Sequence, residues 1–340
     1  MNDGVPMPQY EDKRQPALAS VELNSKRRRL IGAGLALGAA SAAAAFSPRL
    51  AHAATRQLRV GYQKGALSII RAHGTLEQRL ASLGATVKWV EFSAGPVQLE
   101  ALGAGSIDFG DVGEAPPIFS QAAGTPLVYV GATVPRPYVE AILVKDDSLQ
   151  KPAQLKGKRI ALNKGSNVHY FLVKLLEKHG LQYGDVTPVW LAPADARAAF
   201  ERGSVDAWAI WEPYLAAAQQ TLKARILADA DGVVKNRAYY FSTRDYARDN
   251  ADLIRIAVEE LAKVDEFAKT RPDDYASELA GILGLPKGVL DVVVRRYNFG
   301  TLPITHAILD EQQQIADTFL DLKLIPKKIN LRETAPPWLA

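Results

Sequence analysis

The chain has no cysteine. That excludes disulfides, thiolate metal sites, a cysteine nucleophile and a lipid-modified N-terminal cysteine. Histidine is scarce as well. The five are His52, His73, His169, His179 and His306, and no two stand three or four residues apart, so no zinc site is expected. Gly-x-Ser-x-Gly, a phosphate-binding P-loop, Gly-x-Gly-x-x-Gly after a strand and His-Glu-x-x-His are all missing, so no catalytic residue and no cofactor are expected. No run of about 20 apolar residues suits a membrane span. Excess basic charge is missing from most of the chain, although the isoelectric point is near 9.0. Of 41 basic and 37 acidic residues, seven and four lie in residues 1–53, which leaves 34 against 33 elsewhere. Nothing in the body therefore points to nucleic acid.

The basicity belongs to a leader. Ser25-Lys26-Arg27-Arg28-Arg29 precedes a mild Ala/Gly/Leu run from Leu30 to Phe46, and Ala51-His52-Ala53 has the small-x-small form of a cleavage site. Paired arginines, a long polar start and weak hydrophobicity are similar to a twin-arginine export signal. The expectation is a signal peptide over 1–53, cleaved near Ala53, and a periplasmic protein.

What the body does contain is a strand–turn–helix stretch at 158–178, Lys-Arg-Ile-Ala-Leu-Asn-Lys-Gly-Ser and onward. Arg159–Leu162 reads as a strand. Phe171, Leu172, Leu175 and Leu176 make one face of a helix with Ser166 in the N-cap position. Such a junction gathers free backbone N–H groups and the positive end of a helix dipole, which suits an anion. About one hundred residues earlier there is a twin. Arg59-Val60-Gly61-Tyr62-Gln63-Lys64-Gly65 aligns with Arg159-Ile160-Ala161-Leu162-Asn163-Lys164-Gly165, and Gly105-Ser106-Ile107-Asp108 aligns with Gly203-Ser204-Val205-Asp206. Each second segment is followed by an acid and a proline, Glu114 with Pro116 and Glu212 with Pro213. Two pairs in one order at a near-constant offset imply a duplicated α/β unit, with both Lys-Gly turns at the carboxyl ends of strands, where open α/β sheets bind ligands.

Pattern along the chain gives strands at Leu58–Tyr62, Val87–Phe92, Ile107–Val112, Leu127–Thr133 and Val139–Val144, with one helix over Ile69–Leu83 and another opened by Gly95-Pro96. The second unit adds strands near Val186–Leu191, Val205–Ile210 and Arg225–Leu227. From Asp245 the chain reads as helices over Asp245–Lys269, Pro272–Leu283, Lys287–Tyr297 and Thr305–Leu322. Pro135-Arg136-Pro137 marks a first crossing between lobes and Ala238–Ser242 a return. The lobes would be 54–138 with 243–340, and 139–242, and two crossings make a hinge.

The Ser166/His169 pair resembles a nucleophile and base, but a helix-capping serine beside a polar residue accounts for it. Glu114 and Glu212 could do acid/base work, bind a ligand amine or hydroxyl, or cap backbone. Trp208 suits core or pocket equally. Trp211, at its strand end, is the better pocket candidate.

Gly61-Tyr62-Gln63-Lys64-Gly65, Phe92-Ser93-Ala94-Gly95-Pro96, Gly113-Glu114-Ala115-Pro116-Pro117, Lys164-Gly165-Ser166-Asn167-x-His169, Pro193-Ala194-Asp195-Ala196-Arg197 and Trp208-Ala209-Ile210-Trp211-Glu212-Pro213-Tyr214 together resemble the substrate-binding proteins of aliphatic sulfonate ABC importers. The resemblance runs to Leu324-Ile325-Pro326-Lys327. It implies an α/β, two-lobed periplasmic binding fold, each lobe a mixed sheet flanked by helices. It also implies a monomer that captures a sulfonate and delivers it to a membrane permease, without enzymatic activity. Binders of taurine, nitrate or a heterocycle precursor, and an enzyme on the same fold, are the alternatives. By resemblance the anion would lie near Gln63, Gly95 and Pro96, Gly113, Glu114 and Ala115, and Ser166, Asn167 and His169, with Trp211 and Glu212 closing the other side.

Overall fold

The computed structural model describes residues 56–339. The leader and its cleavage site lie outside them. In order the elements are β1 (Arg56–Tyr62), α1 (Ala66–His73), α2 (Thr75–Ala81), β2 (Ala85–Glu91), α3 (Gly95–Gly103), β3 (Phe109–Gly113), α4 (Pro116–Ala122), β4 (Leu127–Thr133) and β5 (Glu140–Val144). Then come β6 (Arg159–Leu162), α5 (Asn167–Lys178), β7 (Thr187–Trp190), α6 (Pro193–Glu201), β8 (Ala207–Trp211), α7 (Tyr214–Leu222), β9 (Arg225–Asp229) and β10 (Ala238–Thr243). The chain ends with α8 (Arg244–Asp249), α9 (Ala251–Thr270), α10 (Pro272–Leu283), α11 (Lys287–Arg296), β11 (Thr301–Leu302) and α12 (His306–Asp321).

Two mixed sheets result. The first runs β11-β4-β10-β3-β1-β2 and the second β7-β6-β8-β5-β9. The duplication is visible in the pairing. β1 lies parallel between β2 and β3, as β6 lies parallel between β7 and β8. It is also visible in one ion pair made twice. The carboxylate of Asp108 accepts the backbone N–H and the guanidinium of Arg59, and the carboxylate of Asp206 accepts the same groups of Arg159. Each pair fastens the start of the third strand of a unit to its first strand.

Each sheet then receives one antiparallel strand from the opposite side, β5 beside β8 and β10 beside β3. This corrects the expected return crossing. Ala238–Thr243 is not a connector but an inner strand of the first sheet, bonded on both sides to β3 and β4. The chain leaves the second sheet after Asp229 and crosses before Ala238.

Burial explains why the strands read as apolar runs. In the first sheet Val60, Phe109, Val128, Val130 and Tyr240 face α1, α2 and α9, while Val112, Leu127, Tyr129, Tyr239 and Phe241 face α3, α4 and α12. In the second, Ile142, Ile160, Leu162 and Ala209 face α5, whereas Leu143, Ala161, Trp208 and Ile210 face α6 and α7. A strand covered on both faces loses the alternation that a half-exposed one keeps. Trp208 is therefore core, with no exposure.

Two expected helices are each split. Gly74 takes a left-handed conformation, φ 64°, and separates α1 from α2 inside 69–83. Asn250 separates α8 from α9 inside 245–269. The terminal helices do more than cover the first sheet. Leu290 and Val293 of α11 share a cluster with Ala216 of α7, so α11 also touches the second sheet's helices.

Candidate functional site

A cavity of about 430 Å³ opens between the two sheets. Five strand–helix junctions and both crossings supply its wall. At the end of β1, the Gln63 amide donates to Gln98 Oε1 at 3.0 Å, and the Gln98 amide donates to the Gly61 carbonyl at 2.9 Å. Gln98 is fully buried on α3, so it holds Gln63 at the mouth of the cavity. α3 starts at Gly95 without a side-chain cap, and Gly95 itself lines the cavity.

The β3–α4 junction meets the β6–α5 junction directly. Asn167 Oδ1 accepts the Ala115 N–H at 3.2 Å, and Asn167 Nδ2 donates to Asn236 Oδ1 at 2.5 Å. Asn167 thus touches the first sheet's loop and the return crossing together. Gly113 makes room for it, since a Cβ there would lie 2.0 Å from Asn167 Oδ1. Ser166 occupies the N-cap position of α5, but its hydroxyl donates to the Asn163 carbonyl at 2.7 Å and makes no cap bond. It closes the turn rather than the helix end.

On the far wall, Trp211 stands edge-on to Tyr214 with ring centroids 6.2 Å apart. Glu212 Oε2 accepts the Ala216 N–H at 2.9 Å, and Glu212 Oε1 pairs with the Arg296 guanidinium on α11. Burial pushes the Glu212 carboxyl up, against the hydrogen bonds from Ala216 and Arg296.

The crossings bring two cations to the wall. Arg136 donates to the Asn298 carbonyl at 3.1 Å and lies 5.2 Å above the Tyr297 ring. Arg237 donates to Glu311 at 2.9 Å and to the Thr133 carbonyl at 2.8 Å. Asp111 and Glu140 also line the cavity. Burial raises the Asp111 carboxyl to about 6 and holds that of Glu140 well above the usual range.

Of the expected ligand residues, Gln63, Gly95, Gly113, Ser166, Asn167, Trp211 and Glu212 meet at this cavity. Four are placed elsewhere. Pro96 is the second residue of α3, just behind Gly95. Ala115 reaches across only through its N–H to Asn167. Glu114 is buried beneath the wall, where Oε2 accepts the Arg237 N–H at 3.0 Å, its carbonyl accepts Gln312 at 2.9 Å, and burial raises its carboxyl to about 7. The His169 ring has no exposure. Its Nδ1 accepts the Gly165 N–H at 3.3 Å and its Nε2 meets the Tyr183 hydroxyl at 2.9 Å.

Sequence reasoning missed Asp111, Arg136, Glu140, Asn236, Arg237 and Tyr214. The signal for three of them, Arg136, Asn236 and Arg237, was position: a residue in a crossing between two sheets faces the space between them. Among the described residues no cluster of side chains could hold a metal ion, and no helix is long and apolar enough to cross a membrane.

Residues 83–275 match the NMT1/THI5 like family. The alkanesulfonate-binding protein SsuA from Xanthomonas axonopodis pv. citri, solved bound to MOPS, is similar at 40% identity and TM-score 0.80, over 84% of this chain and 98% of that one. The periplasmic aliphatic sulphonate binding protein SsuA from Escherichia coli is similar at 39% identity and TM-score 0.76, over 84% of this chain and 94% of that one. A taurine-binding periplasmic protein of Escherichia coli is 27% identical over 68% of this chain and 77% of its own length.

Proposed function

The chain belongs to the NMT1/THI5-like family, and from that premise we propose that it is a solute-binding protein that captures aliphatic sulfonates between its two sheets and delivers them to an ABC importer. The observation that carries the reading is the shared cavity, walled by both sheets and both crossings and bridged by Asn167. Relatives that are binding proteins support a non-enzymatic role, and the wall is in keeping with it. It holds no serine or histidine poised as nucleophile and base, because Ser166 bonds to Asn163 and His169 is buried.

The chemistry suits a sulfonate. Its charge does not titrate near neutral pH, and its three oxygens accept several hydrogen bonds. Micromolar affinity corresponds to about 8 kcal/mol. A few charge-assisted hydrogen bonds of roughly 1.5–3 kcal/mol each, with apolar burial against Trp211 and Tyr214, reach that value.

The lobes of this reading are the two sheets with their helices, hinged at 134–139 and 230–237, and they close on the ligand as a monomer. The leader exports the folded chain to the periplasm by the twin-arginine route and is removed near Ala53. A chain without cysteine folds before export without needing an oxidant.

One observation favours a second ligand class. Asp111 has an oxygen without a hydrogen-bond partner on the cavity wall, which a sulfonate bearing an amine would satisfy. Titration calorimetry against ethanesulfonate, MOPS, taurine, sulfate and nitrate separates the readings. Stoichiometric binding of ethanesulfonate or MOPS is expected, with nitrate and sulfate at least tenfold weaker. Silence with every sulfonate would remove the proposed ligand class.

A further inference from the structure

Glu140 opens β5, directly after the first crossing, in a strand that is otherwise Ala-Ile-Leu-Val. It has no exposure, and it lines the cavity. Neither of its carboxyl oxygens has a hydrogen-bond partner. An unpartnered buried carboxyl costs several kcal/mol if ionised, so such groups are neutral or meet a ligand. We propose that Glu140 is a ligand-binding residue, a neutral carboxylic acid that donates its O–H to an oxygen of the bound anion. This assignment rests on the sulfonate reading and adds to it a specific donor on the second sheet.

The surroundings support a neutral acid. Glu114, on the loop after β3, is the charged group that acts on it, and it repels a second negative charge. Glu212, just after Trp211, the β8 residue that pairs with Glu140, is occupied by Arg296 and the Ala216 N–H. The two cations of the crossings are committed elsewhere, Arg136 to Asp265 and the Asn298 carbonyl, Arg237 to Glu311 and the Thr133 carbonyl. The other charged groups of the wall are Lys64, Glu91, Asp111 and Asp265, and none of them bonds to Glu140. A carboxylic O–H is the donor such a place can offer to an anion, and it adds no countercharge.

A sulfonate does not titrate between pH 5 and 10, so any pH dependence of its binding belongs to the protein. Ionised Glu140 loses its donor and repels the anion. Affinity for ethanesulfonate should therefore fall as pH rises past the carboxyl's titration, by up to tenfold per pH unit.

The experiment compares the purified wild type with Glu140→Gln and Glu140→Leu, using ethanesulfonate and taurine as probes. Glutamine keeps a donor that cannot ionise, and leucine removes it. Glu140→Gln should bind ethanesulfonate within about threefold of wild type and show a smaller alkaline fall. Glu140→Leu should bind at least tenfold more weakly while its melting temperature is unchanged or higher. Wild-type affinity in Glu140→Leu would overturn the assignment, as would an alkaline fall as large in Glu140→Gln as in the wild type, since the part owed to Asp111 and Glu114 is common to both. So would a Glu140→Gln protein that loses taurine but keeps ethanesulfonate, since that pattern belongs to an ionised carboxylate facing an ammonium. A wild type that binds no sulfonate would instead sink the sulfonate reading, and this assignment with it.

Discussion

Asn167, on the second sheet's first helix, accepts a hydrogen bond from the backbone N–H of Ala115, on the first sheet's loop, at 3.2 Å. The same amide donates to Asn236 in the return crossing at 2.5 Å. One side chain therefore ties together both sides of the cavity and one strand of its hinge. Those bonds exist only while the two sides are close, so they stabilise the closed arrangement over an open one. Asn167→Ala should weaken sulfonate binding by about tenfold, the loss of roughly 1–2 kcal/mol of hydrogen bonding, and leave the melting temperature of the ligand-free protein nearly unchanged. Gly113→Ala should act in the same direction, because its Cβ would occupy the space of the Asn167 amide. Calorimetry reads the affinity and small-angle scattering the degree of closure. An Asn167→Ala protein with wild-type affinity would show that the bridge plays no part in closing.

Glu212 and Arg296 join the end of β8 to α11. The carboxylate is buried, and α11 belongs to the C-terminal helices. Removing one partner of a buried pair leaves the other uncompensated, at a cost of about 3–5 kcal/mol. Arg296→Met should lose stability of that order in urea unfolding at pH 8. Without the guanidinium the Glu212 carboxyl rises further, so folding takes up a proton. Stability of the variant should then recover as pH falls toward 5. A deficit of the same size at both pH values would show that lost packing, and not charge, sets the cost.

The buried carboxyl of Glu114 titrates at about 7, raised by burial against the Arg237 N–H. The sign of its effect follows from linkage. The folded state binds a proton that the unfolded state, near 4.5, has already released, so this group lowers stability as pH rises from about 4.5 to 7. Glu114→Gln keeps an acceptor for the Arg237 N–H and removes the titration. The stability of Glu114→Gln relative to wild type should therefore increase between pH 5 and pH 8, by roughly 1.4 kcal/mol per unit of raised pKa. Denaturant midpoints at the two pH values test it, and a constant difference would mean that Glu114 is ionised throughout.

Some of this was legible in the sequence for a clear reason. The repeat of Arg59 and Asp108 as Arg159 and Asp206 is local pattern plus a fixed offset, and both pairs make the same bonds. Gln63, Gly113 and Asn167 came from the family resemblance, and all three lie at the strand ends that line the cavity. What could not be read was burial created by distant chain. His169 is a polar residue one turn into a helix until Phe119 and Phe319, 50 and 150 positions away, cover its ring. Glu140 looks like the polar start of a strand until β8 and β9 close on either side of it. Ala238–Ser242 was read as a crossing because the strand formed there has remote partners, β3 and β4, more than one hundred residues earlier.

His169 supplies the last test, because its two hydrogen bonds fix its protonation state. Nδ1 accepts the Gly165 N–H, so the proton of the neutral ring is on Nε2 and faces the Tyr183 oxygen. Burial pushes the imidazole down to about 4, so it is neutral in the folded protein at pH 7. The unfolded chain takes up a proton near 6.5, and stability from this group is lost as pH falls from about 6.5 to 4. His169→Phe keeps a ring against Phe119 and Phe319, but it leaves the Gly165 N–H and the Tyr183 hydroxyl without their partner. It should cost about 2 kcal/mol at pH 7 in urea unfolding. The wild type's advantage should shrink as pH is lowered toward 4, opposite in sign to the Glu114 series. Affinity for ethanesulfonate should change by less than threefold, since the ring is buried behind the turn and away from the cavity. A tenfold loss of affinity at unchanged stability would place His169 in contact with the ligand.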